Sequence, residues 1–359
     1  MKKVLLGMSG GIDSAVSALL LQKEGYEVIG ATMSFWDGSI EVAQNSSQGC
    51  FGPHEAENIA AARRICKKLH IPHHVVVLRE EFAKNVLSYF RETYLKGRTP
   101  NPCVVCNLLV KFGAFPRKAR RDGISFDHFA TGHYARAKHD ADSGRWQLLK
   151  AIDPAKDQSY FLSFLSQEQL AMTLFPLGEL LKPEVRRLAG EIGLDFLQDR
   201  DESQDFLDPD IQEHVLSSGP NEPGDIVDMD GRVIGKHRGI AHYTIGQRRH
   251  LGISGMAEPH FVIRIDAGPN LIVAGPKRFL YGNRLIARDI NWISIPALEE
   301  ELRAQTRIRL AHDPAPCILN PLKDGRVEVL FDAPQLSITP GQIAVFYSGD
   351  VLLGGGIIS

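Results

Sequence analysis

The segment Ser9–Ser14, with the sequence Ser-Gly-Gly-Ile-Asp-Ser, contains the residue types that bind a phosphate chain. An apolar run, Val4–Leu6, precedes it and predicts a buried parallel strand, and helical periodicity begins at Asp13. A glycine turn at a helix start directs free backbone N–H groups and the positive end of the helix dipole toward one point. The segment therefore predicts an anion site, although a glycine turn with Asp13 or Ser14 as an ordinary N-cap has the same pattern.

The spacing of this segment excludes two common phosphate-binding motifs. The P-loop of kinases and GTPases needs a lysine after its glycines, and G-x-G-x-x-G needs a different glycine spacing. Ser9–Ser14 instead resembles the pyrophosphatase loop of enzymes that cleave ATP to AMP and pyrophosphate. The resemblance implies ATP and Mg²⁺ as ligands, with Asp13 helping to hold the metal ion. The ATP contacts that it implies are Gly7, Met8, Ser9, Gly10, Gly11, Ile12, Asp13, Ser14, Met33 and Gly132. Met33 is equally expected as a buried core methionine.

A second candidate site is the sequence Cys103-Val-Val-Cys106, whose spacing is typical of redox, metal or sulfur chemistry. Two prolines predict an extended loop before it. We predict that a helix runs from Leu108 to Arg120, so that both thiols lie near its N-terminus. There the helix dipole lowers a thiol pKa and favours the thiolate. Tetrahedral zinc would need a second cysteine pair, and the chain has no second Cys-x-x-Cys.

The composition is that of an ordinary globular protein. The 359 residues predict two or three domains, and the net charge of −2 gives no global sign of nucleic-acid binding. Local basic clusters at 117–121, 236–238 and 248–250 suit an enzyme that binds RNA on one face, although such runs are more often solvated surface. There is no apolar run of about 18 residues and no signal peptide, so we expect no membrane contact and a cytoplasmic location. An odd number of cysteines, five, argues against a disulfide framework.

The order of predicted elements indicates the architecture. Alternating apolar runs and helical patterns over residues 1–95 predict an α/β fold with a doubly wound parallel sheet, which places the glycine loop at the carboxyl end of the first strand. Residues 36–55 are polar and predict a mobile loop. A Gly/Pro cluster at 219–224 and short alternating strands from about 284 predict a small α+β middle domain and a C-terminal β-barrel. We therefore expect a catalytic domain at 1–205, a middle domain at 206–280 and a barrel at 281–359.

Segments spread along the whole chain resemble the bacterial tRNA-specific 2-thiouridylases. In the catalytic part these are 9–14, 97–107, 131–136 and 156–162, and in the later part 224–227, 235–239, 242–248, 291–292 and 308–309. The resemblance implies adenylation of O2 of the wobble uracil, release of pyrophosphate, sulfur attack at C2 and departure of AMP. It also implies tRNAs for Lys, Glu and Gln as substrates. A sulfur donor such as a cysteine desulfurase, a relay protein or sulfide is also required.

The same resemblance assigns roles to individual residues. Cys106 matches the first catalytic cysteine, and Cys103 and Asp13 complete the expected catalytic set. The residues implied beside the target base are Asn101, Pro102 and Cys103. Those implied to contact tRNA are Lys156, Asp157, Gln158, Arg309 and Leu310. For the first three of these, a helix-capping turn is the alternative interpretation.

Two positions depart from the family pattern. Many members have Asp where Cys103 stands, and they carry a second catalytic cysteine in the segment that corresponds to 201–208, where this chain has none. We therefore hypothesise that Cys103 and Cys106 bind a 4Fe-4S cluster, with Cys50 as third ligand. The rival hypothesis is that Cys103 replaces the missing cysteine in a persulfide–disulfide cycle. The remaining two cysteines, Cys66 and Cys317, are expected to be buried and structural.

Two other classes of function compete with tRNA thiolation. An ATP-pyrophosphatase ligase or amidotransferase acting on a small molecule would share the Ser9–Ser14 loop, but it leaves the Cys-x-x-Cys sequence and the barrel unexplained. A non-catalytic RNA-binding relative would explain the missing cysteine, but the intact loop argues against it. A dependence of ATP chemistry on tRNA separates the three.

Overall fold

A computed structural model of the chain describes residues 1–40, 49–194, 205–217 and 221–359. Part of the predicted mobile loop, at 41–48, lies outside these ranges, as do residues 201–204 of the segment that lacks the expected cysteine. Part of the predicted Gly/Pro border, at 219–220, also lies outside them.

The strands and helices follow one another from the first residues to the last. In chain order the strands are β1 Lys3–Gly7, β2 Glu27–Ser34, β3 Gly49–Phe51, β4 His73–Val77, β5 His128–Ala130, β6 Ala135–Asp140, β7 Arg145–Lys150, β8 Thr173–Leu174, β9 Asp205–Leu207, β10 Gly224–Val227, β11 Val233–His237, β12 His260–Asp266, β13 Leu271–Pro276, β14 Tyr281–Trp292, β15 Leu302–Arg307, β16 Ala315–Pro321, β17 Val327–Leu336, β18 Ile343–Ser348 and β19 Val351–Ile358. The α-helices are α1 Ile12–Lys23, α2 Glu55–Lys68, α3 Arg79–Phe82, α4 Ser88–Leu95, α5 Pro102–Val105, α6 Phe115–Arg121, α7 Gln167–Ala171, α8 Lys182–Glu191 and α9 Pro209–Ser217. Segments of π-helix, Ala83–Leu87 and Cys106–Ala114, connect α3 to α4 and α5 to α6.

The N-terminal sheet is parallel, with the strand order β4-β2-β1-β5-β8. The predicted apolar run at its centre is fully buried, because helices cover both faces of the sheet. Leu5 packs on one face with the aromatic residues Phe112 and Phe129. Val4 and Leu6 pack on the other face with α1 and α8. This arrangement confirms the doubly wound sheet and puts the Ser9–Ser14 loop at the carboxyl end of β1.

The two later parts of the chain are β-rich. A sheet of order β11-β10-β13-β12 surrounds a small core that includes Ile226, Val262 and Ile272. Strands β14, β17, β16, β15, β18 and β19 then form an antiparallel barrel, which the pairing of β14 with β19 closes. The predicted C-terminal barrel is therefore confirmed. None of the helices in the described ranges combines the length and the apolar character needed to cross a membrane.

A hairpin from the N-terminal part joins the barrel sheet. Strands β6 and β7 pair with each other, and β7 pairs with β19 through Leu148 opposite Leu352 and Leu149 opposite Val351. Leu148 and Leu352 are fully buried. The sequence predicts a hairpin-like segment here but not its partner, so the continuous sheet between the N-terminal domain and the barrel is a finding of the structure.

Candidate active site

The glycine loop has the geometry of an anion site. Gly11 is the N-cap of α1, no side chain caps the helix, and the Ser14 hydroxyl donates to the Gly11 carbonyl at 3.0 Å. Gly10 has φ +81°, and a Cβ there would lie 2.6 Å from the Asn58 carbonyl oxygen. Only glycine fits such a position. The alternative interpretation of Asp13 or Ser14 as an ordinary N-cap is therefore wrong, and the N-terminal amides of α1 remain available to a ligand.

The carboxylate of Asp13 is held by two side chains from distant parts of the chain. The Lys182 ammonium donates to both carboxylate oxygens, at 2.7 and 2.9 Å, and the Tyr134 hydroxyl donates to Oδ1 at 2.8 Å. The Lys182 side chain is only 8% exposed, whereas that of Asp13 is 29% exposed. Neither partner was predicted from the sequence. A lysine 169 residues away has no local signal that distinguishes it from a surface lysine.

The Thr-Gly-His loop after β5 lies against the start of α1. A Cβ at Gly132 would lie 3.1 Å from the backbone nitrogen of Ser14, so glycine permits this close approach. Met33 lies near the carboxyl end of β2, partly buried against the core. Both positions are at the same edge of the sheet as the glycine loop, where the resemblance predicts the adenosine of ATP.

The segment 153–158 makes hydrogen bonds to both residues that contact Asp13, namely Tyr134 and Lys182. Gln158 and Tyr134 exchange two hydrogen bonds: the Tyr134 N–H donates to Gln158 Oε1 at 3.0 Å, and the Gln158 N–H donates to the Tyr134 carbonyl at 2.9 Å. The backbone N–H of Lys182 donates to Oδ2 of the buried Asp153 at 2.9 Å. Lys156 is half-buried on the same segment.

Asp157, which the resemblance places against tRNA, is buried within the protein. Its Oδ1 accepts from the backbone N–H groups of Ala151 at 3.1 Å and Ser159 at 3.2 Å. Its Oδ2 accepts from the Ser159 hydroxyl at 2.9 Å, and Arg307 of the barrel lies 3.4 Å away. The structure therefore favours a structural role for Asp157, as an anchor between segment and barrel, because its carboxylate is already satisfied inside the fold.

The helix that carries the cysteines starts earlier than predicted. It begins at Pro102, not at Leu108, and Asn101 is its N-cap, with its Oδ1 accepting from the Val104 N–H at 3.3 Å. Asn101 is buried, and its amide also donates to the Tyr160 hydroxyl at 3.4 Å. Both cysteines consequently lie within the helix, on its first two turns.

The prediction of a lowered thiol pKa is wrong. Burial raises the pKa of Cys103 to about 12 and that of Cys106 to about 11, because a thiolate loses its hydration inside the protein. The positive charge of Lys111 opposes part of both rises. Desolvation outweighs the helix dipole here, so the free protein holds both thiols protonated at neutral pH.

Two groups on or beside the helical segment that carries Cys106 were not expected from the sequence. Lys111 follows Cys106 by five residues within the π-helical segment, whose wider turn brings residues five apart to one face. His133 is buried, and its Nδ1 lies 2.7 Å from the Thr131 hydroxyl oxygen. Burial holds the pKa of His133 well below its ordinary value, with a further decrease from the charge of Lys111, so its ring is neutral.

The third proposed ligand, Cys50, is exposed on β3 and lies within electrostatic range of Cys103 and Cys106. β3 pairs in parallel with β9, which places Phe51 opposite Leu207, in the segment where the resemblance implies a second cysteine. However, within the part of the chain that the structure describes, no group of three or more His, Cys, Asp or Glu residues could hold a metal ion. As placed, the three thiols do not fit a cluster.

The remaining two cysteines, Cys66 and Cys317, are buried, as predicted. Burial raises the pKa of Cys66 to about 12. Cys66 packs in the core that covers one face of the N-terminal sheet, and Cys317 packs in the core of the barrel, which supports the predicted structural role.

Family models match three consecutive parts of the chain. They are a tRNA methyl transferase HUP domain at 2–207, a tRNA methyl transferase PRC-barrel domain at 212–276 and an aminomethyltransferase β-barrel domain at 283–358. A tRNA-specific 2-thiouridylase MnmA of Acetivibrio thermocellus is 44% identical over 99% of both chains. Proteins of the same name from Endomicrobium trichonymphae and Geotalea uraniireducens are 45% and 46% identical, over 99% of this chain and 98% and 95% of theirs.

The chain belongs to the tRNA-specific 2-thiouridylase family. This membership confirms the family predicted from the sequence, and it extends over all three parts of the fold. In this 2-thiouridylase, the predicted site residues lie in two regions of the structure. The glycine loop, Met33 and Gly132 lie at the carboxyl edge of the sheet. Cys103 and Cys106 lie on the helix that follows Asn101.

The two tRNA-contact residues predicted in the barrel of this 2-thiouridylase lie just after β15. The Arg309 guanidinium donates to the Leu336 carbonyl at 2.8 Å, which fixes its orientation, and Leu310 is exposed. Arg307, the last residue of β15, reaches Asp157 of the N-terminal domain. The barrel surface at 309–310 is thus tied to the segment that carries Lys156.

Proposed function

We propose that the protein catalyses ATP-dependent 2-thiolation of the wobble uridine of tRNA. The observation that carries this proposal is the match to 2-thiouridylases over 99% of the chain. It is supported by a glycine loop at the carboxyl end of β1 that suits the phosphates of ATP. We propose that the pair of cysteines on the helix that follows Asn101 supplies the sulfur chemistry.

In the first step, O2 of the uracil attacks the α-phosphorus of ATP, and pyrophosphate leaves. The amides at the start of α1 hold the phosphate chain, with the hydroxyls of Ser9 and Ser14 beside them. Asp13 fits a Mg²⁺ site of the kind that uses one carboxylate together with substrate phosphates. The metal ion, when bound, neutralises charge on the phosphates. Asp13 would hold that ion, and its carboxylate would release Lys182 to do so.

In the second step, sulfur reaches C2 of the adenylated uridine. The donor transfers a sulfane sulfur to Cys106 and leaves a persulfide, whose terminal sulfur attacks C2 as AMP departs. A second thiolate then attacks the Cys106 sulfur. It breaks the S–S bond, releases 2-thiouridine and forms a protein disulfide, which a dithiol reductant returns to two thiols. Cys103 and Cys50 are the two candidates for the second thiol.

The 4Fe-4S cluster stays a prediction from the sequence, and no step is derived through it, since the described thiols do not fit a metal site as placed. The decisive measurement is iron and acid-labile sulfide per chain in protein purified without oxygen. Near-stoichiometric cluster that is lost in Cys106→Ala would replace the persulfide route. Absence of iron after reconstitution would support the persulfide route.

We propose that the substrates are the tRNAs for Lys, Glu and Gln and that the reaction takes place in the cytoplasm. The sulfane sulfur of the persulfide route comes from a desulfurase or a relay protein, because sulfide would form a persulfide only with a two-electron oxidant. Pro102 and Cys103 are proposed beside the target base. Lys156, Arg309 and Leu310 are proposed to contact the tRNA.

The function itself is tested by a thiolation assay and by ATP–pyrophosphate exchange. We expect 2-thiouridine to form in unmodified tRNA with ATP and a sulfur donor, and we expect the exchange to require tRNA. Exchange without tRNA would indicate a small-molecule ligase. Absence of exchange under any condition would indicate a non-catalytic RNA-binding relative.

A further inference from the structure

The carboxylate of Asp13, the proposed Mg²⁺ ligand, is bound by Lys182 and Tyr134. Neither residue belongs to the glycine loop. Lys182 is the first residue of α8, and Tyr134 lies between β5 and β6. The position of this carboxylate therefore depends on what fixes these two residues.

Both residues are fixed by one short segment, 153–158. Gln158 exchanges two hydrogen bonds with the backbone of Tyr134, at 2.9 and 3.0 Å. Asp153 accepts the N–H of Lys182 at 2.9 Å and so holds the first turn of α8. Thus two separate connections lead from the segment to the same carboxylate.

The connections are packed rather than loose. Lys182, Asp153 and Tyr134 are 6%, 7% and 2% exposed. Close-packed interiors transmit displacements, because neighbouring groups have no free space to absorb them. A displacement of segment 153–158 must therefore move the Lys182 ammonium, the Tyr134 hydroxyl or both.

We propose that segment 153–158 couples tRNA docking to the ATP site, with Asp153 and Gln158 as positioning residues. In one state Lys182 and Tyr134 hold Asp13, as the structure shows. In the other, tRNA bound at Lys156 displaces the segment, Lys182 turns to the phosphate chain, and Asp13 takes the metal ion. This inference rests on the proposed function, because it requires tRNA to bind at the segment.

The test is a coupling factor between two ligands. The nucleotide is α,β-methylene ATP with Mg²⁺, which cannot be cleaved at the α-phosphorus. The coupling factor is its Kd in the absence of tRNA divided by its Kd in the presence of saturating unmodified tRNA. Thermodynamic linkage requires the same factor when tRNA affinity is measured with and without the nucleotide. For the natural protein we expect about tenfold, within the usual range for such couplings.

Two variants break the connection at different points. Gln158→Leu removes the acceptor for the Tyr134 N–H, and Tyr134→Phe removes the hydroxyl that reaches Asp13 while leaving the segment unchanged. We expect both variants to lower the coupling factor from about ten to less than about two. Gln158→Glu keeps an acceptor oxygen and is expected to retain most of the coupling. Gln147→Leu, on β7, is the matched control and is expected to keep the full factor.

The ratio separates coupling from simple damage. A variant that merely folds poorly loses affinity for each ligand alone, whereas the proposal requires loss of the ratio at retained thermal stability. Full coupling in Gln158→Leu and Tyr134→Phe, or a factor of one in the natural protein, overturns the inference. If the natural protein makes 2-thiouridine but shows no coupling, only the inference fails. If it binds no tRNA, the proposed function fails with it.

Discussion

The contact between Lys182 and Asp13 predicts a measurable free-energy coupling. We expect Lys182→Met, which keeps the length of the side chain but removes the ammonium, and Asp13→Asn each to destabilise the contact between α1 and α8. Removing one member of a fully buried pair costs about 3–5 kcal/mol, and an exposed pair contributes about 0–1 kcal/mol. Because the two side chains are 8% and 29% exposed, we expect about 1–3 kcal/mol for each single change.

The two single changes are not expected to be equal. Asp13→Asn leaves the ammonium of the more buried residue without its carboxylate, and Lys182→Met leaves the carboxylate that water reaches more easily. Asp13→Asn should therefore cost more. The double variant removes both charges, and its cost should fall short of the sum of the two by about 1–2 kcal/mol.

The measurement is native-state hydrogen exchange of amides in α1 and α8, since it reports the opening free energy of this region in a chain with several domains. The exposed pair Lys3–Glu27, at 3.1 Å with side chains 43% and 45% exposed, is the control. The cycle of Lys3→Met with Glu27→Gln should give a coupling below about 1 kcal/mol. Additivity within about 0.5 kcal/mol at Lys182 and Asp13 would refute the reasoning.

Four further results are expected. Burial raises the pKa of Cys106 to about 11, so its alkylation by iodoacetamide should accelerate about tenfold per pH unit from pH 7 to 10, and a rate that levels off near pH 8 would contradict this. Because this pKa is higher in the folded than in the unfolded state, the protonated thiol contributes to the free energy of unfolding. That contribution is lost as the pH increases from about 9 toward 11. Gly10→Ala, with φ +81° and a Cβ contact of 2.6 Å, should abolish nucleotide binding measured by calorimetry, whereas Gly144→Ala, in a turn with open space, should not. Arg307→Met should lower the free energy of unfolding of the contact between barrel and N-terminal domain by about 1–2 kcal/mol, because it leaves the buried Asp157 without its cation. An unchanged free energy of unfolding would contradict the role of Asp157 as an anchor.

Much of the fold follows from local patterns. The run Val4–Leu6 is apolar at every position because helices cover both faces of a parallel sheet, so it predicts a central strand without reference to the rest of the chain. The Ser-Gly-Gly turn and the helical periodicity after it locate the phosphate site for the same reason. Predictions of this kind depend only on residues that are close in sequence.

The start of the cysteine helix was predictable in principle. Pro102 suits the first turn of a helix, where its missing N–H costs nothing, and Asn101 is a favoured N-cap. If both prolines are assigned to the loop, the predicted helix starts too late, at Leu108. That assignment also places the thiols wrongly.

Other features could not be obtained from the sequence. The sign of the pKa shift at Cys103 depends on whether desolvation or the helix dipole is larger, and only the three-dimensional burial decides that. The partners of Asp13 lie 121 and 169 residues away, on elements that the sheet topology brings together. No spacing rule connects them.

The shared sheet of the β6–β7 hairpin and β19 has a consequence for biosynthesis. The hairpin ends at Lys150, and the strand that covers its edge begins at Val351, about 200 residues later. A ribosome that adds about 5–20 residues per second exposes the β7 edge for about 10–40 s before its partner is made. An uncovered edge strand readily pairs with another chain. During most of its synthesis, the nascent protein therefore needs chaperones to protect this edge. Ribosomes that stall before Val351 should release aggregation-prone fragments.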